Sequence, residues 1–266
     1  MYWQEVSGNW FLVPERPRAI VHFLGGAFVA AAPHLTYRWL LESLYQAGYA
    51  VIATPFVNTF DHGAIAQEVL ITFEQGLAYL NKKRPELRAQ PIYGVGHSMG
   101  CKVHLLIGSL LNTKQSIERN GNIFISFNNF PARKSIPLLD QAIAQARQFA
   151  PDLQLDRRLE FTPSPGETLA LIEAQYETPY NLLVKFRNDT IDQTRPLSDV
   201  LVHRFPRTTS VRIIKGTHTT PIAQDVQWEA SGSFSPFDAI GQFVKQEFYR
   251  DIKVLKEEVL YWLEGE

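Results

Sequence analysis

The 266-residue chain holds a single cysteine, Cys101, so it can form no internal disulfide and no metal site built on several thiolates. That scarcity fits a reducing compartment. Net charge is nearly absent as well. The 26 basic and 27 acidic residues leave −1, and no global field draws the chain to nucleic acid or to an anionic membrane. No apolar run approaches the ~20 residues needed to cross a bilayer, so no membrane span is expected. Residues Met1-Tyr2-Trp3-Gln4-Glu5 lack the basic and apolar regions of a secretory signal. These absences predict a cytoplasmic protein, or one of the plastid stroma if the chain is a mature organellar form. Internal repeats, low-complexity tracts and interdomain linkers are also missing, which predicts a single domain over residues 1–266.

With 45% hydrophobic residues the chain is long enough to bury one large core. Short apolar or β-branched runs at 10–13, 19–23, 51–54, 92–95, 123–126, 182–186 and 211–214 predict buried strands. Segments of helical period lie between and after them, at 37–47, 64–81, 98–111 and 237–263. In 64–81 the residues Ile65, Val69, Phe73, Leu77 and Leu80 share one face, and 237–263 carries Ile240, Phe243, Phe248, Ile252, Leu255 and Leu260. Such alternation predicts an α/β fold, a mostly parallel sheet with helices on both faces. Residues 128–180 break the rhythm with helix-compatible pieces at 138–149 and 167–175 and prolines at 151, 163 and 165. They are expected to form a helical cap over the C-terminal edge of the sheet, where open α/β folds bind ligands.

Gly96-His97-Ser98-Met99-Gly100 follows the apolar run Ile92-Tyr93-Gly94-Val95 and precedes a helix-like stretch. A serine presented at a sharp strand-to-helix turn needs small residues on both sides, and it leaves the Met99 N–H at the first turn of a helix, aimed at any oxyanion that forms. Ser98 is thus the candidate nucleophile. A serine hydroxyl requires a histidine to take its proton and a carboxylate to orient that histidine. His218, in Gly216-Thr217-His218 after the last strand, is the candidate base. His97 adjoins the serine but leaves the turn in another direction, and His22, His34, His104 and His203 read as structural or surface residues. Asp189, three residues beyond the run 182–186, is the candidate acid, with Asp192 in reserve. The plainer role for Asp189 is to shape a turn. A second oxyanion donor is expected from His22-Phe23-Leu24-Gly25-Gly26-Ala27-Phe28. Counting from His22 selects Leu24, and counting from the glycines selects Gly26 or Ala27.

The order Ser98, Asp189, His218, the pentapeptide 96–100 and the 22–26 loop resemble the α/β-hydrolase superfamily over nearly the whole chain. More narrowly, residues 22–28 and 94–100 are similar to a hydrolase-like family of unknown function from cyanobacteria and plant plastids. The resemblance implies the hydrolase fold, the triad and no cofactor, and it leaves the substrate open. The chain departs from the superfamily in carrying His22-Phe23 where His-Gly is usual and Phe186 where a small residue is usual. The implied reaction is acyl transfer from a small-molecule ester or thioester to water. Phe130, Leu138, Leu139, Phe149 and Phe161 in the expected cap favour a hydrophobic acyl group. Transfer to another acceptor, and a non-catalytic binding module on the same fold, are the alternatives. No metal is expected. Asp61-His62, between a strand and a helix, reads as a loop and helix cap.

Overall fold

The computed structural model describes residues 2–110, 117–135, 159–222 and 236–265, with backbone alone for 236–248. Its strands are β1 (Gln4–Val6), β2 (Asn9–Leu12), β3 (Ala19–Leu24), β4 (Tyr49–Ala53), β5 (Ile92–His97), β6 (Gly121–Ile125), β7 (Tyr180–Phe186) and β8 (Thr209–Ile214). Together they form one sheet in the order β1-β2-β4-β3-β5-β6-β7-β8. β1 and β2 run antiparallel to their neighbours and the other strands are parallel. The expected mostly parallel sheet is therefore present, with one strand more than the sequence pattern revealed. β1 has a single apolar residue and no buried one, so no buried run marks it. A turn at Ser7 and Gly8 forms it, with φ of 50° and 73°, the pairing that a two-residue hairpin requires.

The helices are α1 (Pro33–Thr36), α2 (Arg38–Gln46), α3 (His62–Lys83), α4 (Met99–Leu110), α5 (Ala132–Ser135), α6 (Pro165–Gln175), α7 (Thr194–Arg204) and α8 (Pro236–Leu263). Strand residues alternate between two cores. Val21, Phe23, Val51, Val95, Ile123, Ile125 and Val184 pack against Leu40, Leu41 and Leu44 of α2 and Leu255, Val259 and Leu263 of α8. On the opposite face Ile20, Ile52, Leu24, Phe124 and Leu183 meet α3, α4, α6 and α7. The stripe Ile65, Val69, Phe73, Leu77, Leu80 is buried throughout, and the Asp61 side chain caps α3 by accepting the Ala64 N–H at 2.8 Å. α7 escapes a periodicity reading because it buries only Leu197 and Leu201 among its apolar residues. Its Pro196 lies in the first turn, where proline is tolerated but resembles a breaker.

The interval expected to be a cap divides. Residues 165–175 do not overhang the sheet edge. They form the crossover helix α6, whose Ile172 joins Tyr176, Cys101, Leu105, Phe124 and Leu197 in the core of the second face. Pro165 and the Ser164–Glu167 capping box start it. The segment before it is tied to the start of α3, since the Thr162 N–H donates to the Phe60 carbonyl (2.8 Å) and the Gly63 N–H to the Thr162 carbonyl (3.1 Å). Leu138, Leu139 and Phe149 lie outside the described residues, as do the side chains of Ile240, Phe243 and Phe248.

A polar chain lies within the second face. Arg119 donates to His22 Nδ1 at 2.8 Å, His22 Nε2 meets Thr54 Oγ1 at 3.0 Å, and Thr54 donates to Asn9 Oδ1 at 2.5 Å. Asn9 in turn donates to the Thr72 carbonyl, which fastens the N-terminal hairpin to α3. His22 is thereby consumed as a buried, hydrogen-bonded residue.

Candidate active site

Four parallel strands deliver the candidate residues to one edge. β5 ends at His97, Ser98 turns the chain with φ of 53°, and α4 begins at Met99. A non-glycine residue in this left-handed region is strained by about 1–2 kcal/mol, which the surroundings must offset. They do so by donation of the Ser98 N–H to the Ile125 carbonyl of β6 at 2.9 Å and by close packing at both glycines. A Cβ at position 96 would sit 2.7 Å from the Cys101 nitrogen, and one at position 100 would run into the Leu24 carbonyl. Gly100→Ala is therefore expected to lower the thermal midpoint by several degrees and to displace the turn. An unchanged unfolding curve would contradict that crowding.

The loop after β7 carries Asp189 and the loop after β8 carries His218. The Asn188 N–H donates to the Gly216 carbonyl (3.1 Å) and couples the two loops. Gly216 has φ of 133°, and a Cβ there would lie 2.7 Å from the Phe186 ring, so that aromatic residue backs the turn leading to His218. His218 Nδ1 lies 2.8 Å from Asp189 Oδ2, and its Nε2 lies 2.9 Å from Ser98 Oγ. The other Asp189 oxygen accepts the Ile191 N–H at 3.0 Å, so this carboxylate shapes a turn and orients an imidazole at once. Burial alone would raise the Asp189 pKa. The hydrogen bond from His218, that ring's charge and the Ile191 amide outweigh it and hold the carboxyl below its ordinary value. Asp192, the reserve acid, is taken elsewhere. Its fully buried carboxylate pairs with Lys185 Nζ (2.6 Å) and binds the Thr194 N–H and hydroxyl at the start of α7.

Of the amides expected to hold an oxyanion, Met99 N–H stands at the first position of α4, where the helix itself offers no acceptor. Leu24 is the last residue of β3, in register with Gly96 and fully buried. Gly26 is a correction, because its N–H already donates to the Tyr37 hydroxyl at 2.7 Å and so cannot also face a ligand in this arrangement. Its lack of a side chain matters instead, since a Cβ there would come within 3.2 Å of the Ser98 Cβ. No hydrogen bond to the Ala27 N–H is found among the described residues, and Ala27 is half-buried beside the serine turn.

His97 does not reach the serine hydroxyl. Its Nδ1 lies 2.7 Å from the Tyr37 hydroxyl and its Nε2 lies 2.9 Å from the His218 carbonyl. Tyr37 carried no sequence signal, being one aromatic residue in an amphipathic segment. Phe23, which stands where a glycine is usual, packs against the Tyr37 ring at 4.7 Å. His34 stacks on Trp10 at 3.5 Å, His104 Nε2 meets the Val95 carbonyl at 3.3 Å and His203 is exposed. Among the described residues no group of three or more metal-ligating side chains is present, and no helix is long and apolar enough to cross a membrane.

Lys102, one turn into α4, is nearly fully buried and donates to the Pro163 carbonyl at 2.9 Å. Burial pulls its pKa down to about 7, against the opposing pull of Glu160 and Glu167. The folded-state value lies below the ordinary 10.5, so the unfolded chain binds the proton more tightly, and stability falls as pH drops from about 10.5 toward 7. Lys102→Met should therefore stabilise the protein, by about 2 kcal/mol more at pH 7 than at pH 9 in denaturant titrations. A gain that does not vary with pH would contradict this assignment.

Solved structures with the same architecture include esterase B of Lactobacillus rhamnosis, determined with a tributyrin phosphonate (14% identity, TM-score 0.57, covering 97% of this chain and 84% of that one). Carboxyl esterase 2 of the mycorrhizal fungus Tuber melanosporum is similar at 16% identity and a TM-score of 0.54, covering 92% and 82%. An esterase of Pyrococcus furiosus is similar at 17% identity and a TM-score of 0.51, covering 91% and 84%. At these identities the likeness is one of fold. No curated protein matches the sequence. The model of the family described as "Protein of unknown function (DUF1350)" matches residues 2–265, so this α/β-hydrolase-fold chain belongs to that family.

Proposed function

We propose that the protein is a serine hydrolase that cleaves a small-molecule ester or thioester. The observation that carries this reading is the His218 ring set between Ser98 Oγ at 2.9 Å and Asp189 Oδ2 at 2.8 Å. In the reaction, Ser98 Oγ attacks the carbonyl carbon while its proton passes to His218 Nε2. Asp189 keeps the other imidazole proton on Nδ1 and stabilises the imidazolium. The Met99 and Ala27 N–H groups receive the oxyanion. Collapse expels the alcohol or thiol, which takes the proton from His218. Water, deprotonated by the same nitrogen, then releases the acid and restores Ser98.

A hydrophobic acyl group is favoured by the surroundings of the site. Phe28 after β3, Val57 and Phe60 after β4, and Ile191 after β7 are exposed large apolar residues on loops at the edge that carries Ser98. Of the aromatic residues expected to do this, Phe161 is buried against His62 at 4.3 Å.

The reading is tested by treating the wild type and Ser98→Ala with a fluorophosphonate probe, locating the label by mass, and assaying both on p-nitrophenyl esters of increasing chain length. Labelling at Ser98 in the wild type alone, with turnover rising toward longer chains, is the expected result. A folded wild type that neither labels nor hydrolyses any ester of the series would favour a binding module on this fold.

A further inference from the structure

Tyr37 and His97 lie outside the Ser98–His218–Asp189 chain, yet both are fully buried against it. The direction of their hydrogen bonds is determined. The Gly26 N–H can only donate, so the Tyr37 oxygen accepts it at 2.7 Å and the phenolic proton is left for His97 Nδ1, also at 2.7 Å. His97 Nδ1 is then a lone pair, its proton resides on Nε2, and that N–H donates to the His218 carbonyl at 2.9 Å. The opposite tautomer would leave a lone pair facing a carbonyl oxygen and would leave the tyrosine proton without an acceptor.

The two ends of this chain fall on separate parts of the site. Gly26 lies beside Ser98 and directly precedes Ala27, whose amide is assigned to the oxyanion. His218 carries the proposed base, and its ring centre is 4.9 Å from that of His97. The Tyr37 ring is clasped by Phe23 at 4.7 Å and His97 at 5.6 Å, so the hydroxyl has little freedom to seek other partners. His97 is held neutral, its pKa pushed down to about 3 by burial and by the neighbouring His218. The hydroxyl donating to Nδ1 favours that same neutral form.

We infer that Tyr37 and His97 are positioning residues, a buried relay that locks the oxyanion loop at Gly26 and the backbone of the base at His218 into one rigid unit around Ser98. The inference rests on the serine hydrolase reading and assigns the residues that give that site its geometry. A positional error of about 1 Å at reacting groups costs on the order of 100-fold in rate. The relay therefore acts on turnover rather than on substrate affinity.

The test compares Tyr37→Phe, His97→Ala and His97→Gln with the wild type in p-nitrophenyl butyrate hydrolysis, in the rate of fluorophosphonate labelling and in ¹⁵N-histidine NMR. Tyr37→Phe and His97→Ala are expected to lose roughly 10- to 100-fold in kcat with KM within about threefold of wild type. His97→Gln, which keeps one acceptor and one donor, should recover at least about threefold over His97→Ala. In the spectra, the exchange-protected His97 Nε2–H signal should be lost or displaced in Tyr37→Phe, and the His218 ring signals should move with it. Turnover in Tyr37→Phe and His97→Ala within twofold of wild type, or an effect confined to KM, overturns the relay. If Tyr37→Phe does not fold, glutamine performing no better than alanine at position 97 overturns it. If the wild type neither labels nor turns over esters, the hydrolase reading fails by itself. The relay is then decided by NMR, where unchanged His97 and His218 signals in Tyr37→Phe refute it.

Discussion

On the proposed serine-hydrolase reading, Ser98→Ala is expected to reduce ester turnover by at least about a thousandfold while leaving the fold intact, because the hydroxyl would contribute a bond that no neighbouring group can form. Asp189→Asn should fall by a comparable order. The amide can still bond to the ring, but it no longer fixes the proton on His218 Nδ1, and the Nε2 lone pair that faces Ser98 Oγ at 2.9 Å is lost to the wrong tautomer. The double variant should be little worse than Ser98→Ala, since groups that act as a unit do not contribute additively. Steady-state rates on one p-nitrophenyl ester, with thermal unfolding as a fold check, suffice. Multiplicative losses in the double variant would mean that the two side chains act independently, contrary to the hydrogen-bonded geometry.

Acid should destabilise this protein well before its carboxylates titrate. His97 and His62 are buried in neutral form, and burial above all, with His218 and Lys102 respectively, lowers each pKa to about 3 from 6.5. Burial also drives His22 and His104 well below the ordinary value, with the nearby Arg119 cation adding to it. The sign follows from linkage: below 6.5 the unfolded chain takes up protons that the folded chain refuses, so stability present above that pH is lost progressively down to about 3. At pH 5 the loss from His97 and His62 together is about 4 kcal/mol, a large part of the 5–15 kcal/mol typical of a folded domain. Urea titrations at pH 8 and pH 5 should show the midpoint collapse, and His62→Leu should flatten the dependence by up to about 1.4 kcal/mol per pH unit. Equal stability at the two pH values would show that these imidazoles are not buried neutral.

Much of the fold was legible because burial leaves periodic traces. The runs at 19–23, 51–54 and 182–186 had to be strands, since continuous apolar segments of that length between turn residues belong in a sheet covered on both faces. The stripe from Ile65 to Leu80 had to be a helix for the matching reason. What left no trace was structure whose stabilisation lies elsewhere. β1 is supported by the Ser7-Gly8 turn, and α7 by two leucines inserted into a core that other elements build. Residues 167–175 showed a helical period, but period does not say which layer a helix joins, so this helix was expected in a cap, whereas α6 packs Ile172 into the core of the second face.

The site divides along the same line. The pentapeptide 96–100 is chemistry confined to neighbouring residues, because a serine held at φ of 53° between a strand and a helix needs its glycines within two positions. The sequence therefore determined by itself where the sharp turn lies, that a strand precedes it and a helix follows it, and the order in which Ser98, Asp189 and His218 follow one another. Only the tertiary structure decided that Asp189 rather than Asp192 meets His218, that Gly26 is already bonded, and that Tyr37 and His97 join two loops separated by about 190 residues of chain. Those outcomes depend on which polar groups remain unpaired once the sheet is buried, and a buried hydrogen bond between distant segments imposes no spacing on the chain that makes it.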